Sequence, residues 1–201
     1  MQLYYTTTTG YNAVQSNPDR SLGGYKSSTP VMNADFSNLF DNISLMTIRN
    51  GRDEYRALIL RNEFNHPIKN LMVTVQYPKD FVALYSLAFG VLGDPDKYGN
   101  CMMESVNSPF AKPFRANFFP MGIGWAEIEL SFVVGALLVT PELNPGQEVG
   151  LWISRHIDKA RAKEQYENIC TLDPADPTGR RYIATDRPQE EAVNIVFTWD
   201  D

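Results

Sequence analysis

Histidine and cysteine are scarce in this chain of 201 residues, with two of each. His66 and His156 are too few to build a histidine metal site, and no CxxC or HExxH spacing supplies further ligands. A lone histidine beside Pro67, and another ending a strand beside Arg155, read as solvated or packing residues. Without an orienting partner, neither makes a base constellation. Cys101 and Cys170 are widely separated, so they read as free thiols and not as a disulfide framework. GxSxG, phosphate-loop and dinucleotide fingerprints are also missing. The longest apolar run, Leu130 to Val139, is too short to span a bilayer, which takes about 18 residues or more. The formal charge is -6, so there is no cationic excess of the kind that releases counterions from nucleic acid. Met1 to Gly10 has no basic start followed by an apolar stretch, and folding in a cytosol is expected. These absences lead to the expectation of a non-enzymatic chain with no cofactor and no membrane or direct nucleic-acid binding.

What the chain has is apolar and aromatic material. Some 43% of residues are hydrophobic, with eleven Phe and ten Tyr, and thirteen Pro and thirteen Gly supply turns. Period-two alternation marks strands over Glu54–Asn62, Asn70–Pro78, Trp125–Val134, Glu148–Ile157 and Ala192–Trp199. The first two, joined by "EFNHPIK", read as a strand pair with a turn. The segment from Phe81 fits a strand, with a short helix as the competing reading. Asp158–Cys170 is the helix candidate, capped by Asp158. Many short strands with one minor helix predict an all-β, Ig-like antiparallel β-sandwich. Its core should include Leu58, Leu60, Val73, Val75, Ile128, Leu130, Leu151, Ile153, Ile195 and Phe197. Residues 1–35 read as an extended N-terminal arm, and 36–201 as the sandwich with insertions at 94–124 and 158–188.

Two segments lack periodicity yet carry aromatics. Tyr4, Tyr5, Tyr11 and Tyr25 stud the arm, and Phe110, Phe114, Phe118 and Phe119 stud the 94–124 loop. Apolar loops of this length are costly to leave in water, so they pack on their own domain or on another subunit. These eight residues are the candidate oligomer interface, and deleting residues 1–30 is expected to leave a soluble β-rich monomer. Lys112 and Arg115 interleave with the phenylalanines, a pattern that can stack on single strands, but the acidic balance opposes it. Asp94, Asp96, Gly99 and Asn100 match the start of a calcium loop; Tyr98 and Ser105 then stand where oxygen ligands belong. A structural calcium at Asp94 and Asp96 is the one metal expectation, with a polar turn as the default. Glu127 and Glu129 lie roughly 7 Å apart on one strand face by strand geometry, and a solvated face explains them.

"NLFDNIS" (Asn38–Ser44) followed by "GRDEYRALILRN" (Gly51–Asn62) resembles a pattern in structural proteins of tailed bacteriophages. "NPGQEVGLWISR" (Asn144–Arg155) resembles the later Pro-Gly…Trp strand of the same kind of domain. The arm, the 94–124 loop and the 158–188 insertion depart from that pattern and incline the resemblance toward short-tailed phages of the crAss-like group. The resemblance implies a virion protein of the neck or tail, made and assembled in the host cytoplasm. It implies a homomeric ring, of twelve copies by analogy, contacting neck, portal or tail proteins. On physical grounds, independent of the resemblance, Leu39, Phe40 and Ile43 are expected to anchor the core's edge, and Arg52, Asp53, Glu54 and Arg56 to stay near the surface before the first core strand. The rival expectation is a carbohydrate- or receptor-binding fibre or decoration protein, with Trp125, Trp152 and Trp199 as sugar platforms.

Overall fold

Alternation in "RDEYRALILR" produces β3 (Arg52–Arg61), a ten-residue strand both of whose sides are apolar beyond Arg56. Leu58 and Leu60 point to one side and Ala57 and Ile59 to the other, and all four are buried. A strand buried on both faces needs a cover on each. The computed structural model, which describes residues 1–32, 38–76, 83–120, 137–160, 170–172, 181–183 and 193–200, supplies both.

β3 lies inside a six-stranded antiparallel sheet. Its other members are β1 (Gln2–Thr7), β2 (Tyr25–Pro30), β5 (Ala83–Gly90), β6 (Phe119–Pro120) and β8 (Glu148–Ile157), in the order β2-β1-β3-β8-β5-β6. β3 and β8 pair along their whole length, from Arg52 opposite Ile157 to Arg61 opposite Glu148. A second antiparallel sheet holds β4 (Ile68–Gln76), β7 (Leu137–Leu143) and β11 (Asn194–Asp200), in the order β11-β4-β7. The protein is thus an all-β antiparallel sandwich. β9 (Cys170–Leu172) and β10 (Arg181–Ile183) form a separate short pair.

The inner face of the large sheet packs on the small one through Leu58, Leu60, Leu87, Leu151 and Ile153 against Leu71, Val73 and Val75. Ile195, Phe197 and Trp199 pack against this core and are half-buried. Of the expected core, Ile128 and Leu130 lie outside the described residues, as does the expected strand 125–134. The outer face is covered by the segment after β5, where Met103 and Ala116 join Ala57, Ile59, Ala88 and Trp152 in a second apolar cluster. Gly90 and Gly150 face each other across β5 and β8. A Cβ on Gly90 would stand 2.1 Å from the Met103 methyl, so the bare pair is what lets Met103 seat on the sheet.

Several expectations are corrected. β3 and β4 do not pair; they belong to opposite sheets, and the link between them crosses the sandwich. The β7–β8 turn crosses at the same place. Asn62, fully buried, joins the two crossings: its Nδ2 donates to Leu143 O (2.9 Å) and His66 O (3.0 Å). The Gly146 amide donates to Asn62 O (2.8 Å). Asn62→Ala strands two carbonyls that the side chain now satisfies. We expect it to cost about 2–3 kcal/mol in urea unfolding, with the wild-type m-value retained; a loss under about 0.5 kcal/mol would show that water replaces the amide.

The expected helix spans residues 158–170. Lys159 and Ala160 are helical, residues 161–169 are outside the described set, and Cys170 already begins β9. A helix that the sequence reading passed over, α1 (Leu45–Asn50), follows the anchor segment. Ser44 Oγ accepts the Thr47 amide, and Gly51 ends the helix at φ 69°. Of the segment expected to run on from Phe81, the described part is strand β5 from Ala83. β9 and β10 both fall within the expected 158–188 insertion, with Arg181 opposite Leu172.

The N-terminal segment, over residues 1–32, is laid on its own domain. β1 pairs with β3 from Gln2 opposite Arg61 to Tyr5 opposite Leu58, and β2 pairs with β1. Leu3 and Tyr5 are core residues. Deleting residues 1–30 therefore removes two strands and part of the core, and the soluble monomer expected from that truncation does not follow.

Candidate interaction surface

The stretch that opened the resemblance builds a closed structural corner. Past the reach of the small sheet, the inner face of β3 and β8 carries charge: Glu54 and Arg56 on β3, Arg155 on β8. Each is at most 3% exposed, which corrects the expectation that Glu54 and Arg56 stay near the surface. The reason is the cover. Leu39, Phe40, Ile43 and Ile48 fold over this end as part of the core. Arg155 Nε donates to Glu54 Oε2 (2.6 Å), and its Nη1 to Asp41 O (2.7 Å). Its Nη2 lies beside the same Oε2, out of line for a hydrogen bond. Arg52 reaches the other Glu54 oxygen at 2.6 Å. Arg56 pairs with Asp19 and donates to Tyr55 O (3.0 Å). Burial pulls the Arg56 pKa below its ordinary value, with Asp19 and Glu54 opposing. The Phe40 ring meets both guanidinium groups, with centroid distances of 5.0 Å to Arg56 and 4.7 Å to Arg155. Glu54, Arg56 and Arg155 are ion-paired and closed to solvent, while their outer partners Arg52 and Asp19 reach it.

The N-terminal tyrosines are spent inside the chain. Tyr5 donates to Asn38 O (2.6 Å), and Tyr4 to Glu63 (2.9 Å). Tyr11 donates to Glu148 (2.6 Å) while accepting from Arg61 Nη1 (3.0 Å). Burial, then the bond to Glu148, pushes the Tyr11 phenol up to about 12. Buried Lys26 sits under the Tyr4 and Tyr11 rings at 4.2 and 5.3 Å. Tyr25 is half-buried where β2 starts, opposite Thr7.

The loop phenylalanines divide. Phe118 packs on Tyr55, with ring centroids 5.4 Å apart. Phe119 enters β6 opposite Leu87. Phe110 and Phe114 project instead: Phe110 is 51% exposed and Phe114 93%. The turn bearing Phe114 is rigidly mounted. Both Glu104 carboxylate oxygens accept backbone amides, from Phe114 and Arg115, each at 2.9 Å. Glu104 is itself held by its neighbours: Met103 exchanges amide bonds with Gly24 (2.9 and 3.3 Å), and Val106 donates to Leu22 O (2.9 Å). Gly23, at φ +100°, is where this stitching requires glycine, because a Cβ there would fall 1.9 Å from Glu104 O. Exposed Lys112 and Arg115 flank Phe114.

The remaining candidates have plain roles. Asp96 Oδ1 accepts the Tyr98 (2.8 Å) and Asn100 (3.0 Å) amides, closing a polar turn. Those bonds, the Asn100 amide first, hold its carboxyl below the ordinary value. Asp94 is exposed. Among the described residues, no group of three or more His, Cys, Asp or Glu is arranged for a metal ion. His66 is exposed and stacks on Phe64; His156 Nδ1 lies 2.5 Å from Asp53 at the surface. Cys101 is a free, half-buried thiol. Trp152 is 1% exposed in the outer core, and Trp199 packs beside Phe64 at 5.8 Å. Trp125, Glu127 and Glu129 lie outside the described residues. Among the described residues, no helix is long and apolar enough to cross a membrane. No protein-family model, curated protein or solved structure matches the chain.

Proposed function

We propose that the chain is a non-enzymatic virion structural protein of a tailed bacteriophage: a subunit of a homomeric ring in the neck or tail that also contacts neighbouring neck, portal or tail proteins. The observation that carries the assembly part is the rigid display of Phe114 at 93% exposure between Lys112 and Arg115. A solvent-facing aromatic beside an Arg has the composition of an interface anchor, and its backbone is already held, so less ordering remains for binding to impose. The virion part rests on the resemblance of "NLFDNIS", "GRDEYRALILRN" and "NPGQEVGLWISR". In support of a structural role, the buried charges of that stretch hold the sandwich end together. The fibre or receptor-binding alternative draws less support, because Trp152 is enclosed and Trp199 is packed against Phe64.

Electron microscopy of the purified full chain tests this reading. Closed rings are expected, whose copy number the images would count. A uniform monomer at every soluble concentration would overturn the homomeric part.

A further inference from the structure

We propose that the Phe110–Arg115 turn of one copy docks in the cleft beside the β7–β8 turn of the next copy. This inference rests on the homomeric assembly proposed above and names its two complementary surfaces.

The first surface is the turn itself. It presents Phe110 and Phe114 with Lys112 and Arg115, a cationic group in a chain whose net charge is -6. The second is a cleft of about 580 Å³ where the β7–β8 turn meets the segment after β5. That volume falls within the range of binding clefts, roughly 300–1,000 Å³. Leu92, Leu143 and Val149 give it apolar wall, and Glu142 and Glu148 give it acidic wall. Glu148 is already paired with Arg61. Glu142 is exposed and makes no ion pair with a described residue. An apolar cleft with a spare carboxylate is the chemical complement of an aromatic turn with two cations.

The register puts Phe110 and the cleft at different ends of β3. The Phe110 ring lies 4.9 Å from Arg52, which begins β3, and Glu148 pairs with Arg61, which ends it. β3 is ten residues long. At about 3.3 Å per residue its two ends are roughly 30 Å apart. Phe114 is mounted on Glu104, three residues from Cys101 in the cleft wall, yet at 93% exposure it does not seat in the cleft of its own molecule. The Phe114 of a second copy can, and because the two patches differ the contact is heterologous. Repeated, such contacts close into a ring when the rotation between copies allows it.

The test uses sedimentation velocity on the full chain. Phe114→Ser removes a residue that supports no core, and we expect self-association at least about thirtyfold weaker. Arg115→Glu and Glu142→Arg each bring like charges together, and each alone should weaken association at least about tenfold. Mixing those two charge variants restores an attractive pair at every contact, so assembly should return. Mixing Phe114→Ser with Glu142→Arg leaves one sound contact type and should stop at dimers. If all three variants assemble like the wild type, or the charge variants fail and their mixture does not recover, the proposed contact is wrong while homomeric assembly stands. If the wild type itself stays monomeric, both proposals fall.

Discussion

Glu54→Ala is expected to lower the free energy of unfolding by about 3–5 kcal/mol. The magnitude follows from where the pair sits. An exposed ion pair contributes about 0–1 kcal/mol, because water screens it and solvates either partner when the other is lost. Glu54 is 3% exposed and Arg155 is 1% exposed. Removing the carboxylate leaves the Arg155 guanidinium enclosed, with one remaining hydrogen bond to Asp41 O and no counter-charge in contact. Arg52 also loses its partner, but it reaches solvent and contributes little. The double replacement Glu54→Leu with Arg155→Met removes both charges, and most of the lost stability should return. Urea unfolding of the single and double variants measures this. A Glu54→Ala loss below about 1 kcal/mol would mean that water reaches Arg155 and the corner is not closed.

The strands were legible in the sequence because their signal is local. Period two gave β8 its bounds and placed β3, β4 and β11 within a few residues, since alternation requires only that one side of a segment be buried. Partner choice is not local. β3 and β4 looked like a hairpin because they are adjacent and similar. What separates them is the Asn62 amide reaching Leu143, 81 residues away, which no spacing rule reveals. β7 was missed because Pro141 argues against a strand; β7 lies at a sheet edge, where an absent amide costs no ladder bond. Glu54 and Arg56 were read as surface residues because charged side chains mostly are. Their burial depends on Phe40, on the far side of α1. Composition also picked out the aromatic loop as a candidate interface. Which rings project from an irregular loop was not readable, because Glu104 decides it by fixing the Phe114 and Arg115 amides from ten and eleven residues away. The cleft left still less trace, since its walls come from three separate segments.

The Phe40 ring is where the opening motif and the buried charges meet, and replacing it should separate two effects. Phe40→Ala is expected to cost about 3–5 kcal/mol, the range for truncating a buried aromatic. Phe40→Leu keeps most of the apolar volume but loses the ring face. It should cost about 1–2 kcal/mol, the loss of the two guanidinium contacts at about 0.5–1 kcal/mol each. The Ala variant also opens a path for water to Arg56 and Arg155. If water enters, it solvates the charges that Phe40 now covers, and the cost of Glu54→Ala should fall in the Phe40→Ala background. A double-mutant cycle reads that coupling directly, with an expected interaction of about 1 kcal/mol or more between residues sharing the Arg155 partner. Additivity within about 0.3 kcal/mol, or a Phe40→Ala loss no larger than that of Phe40→Leu, would show that the ring does not seal the corner.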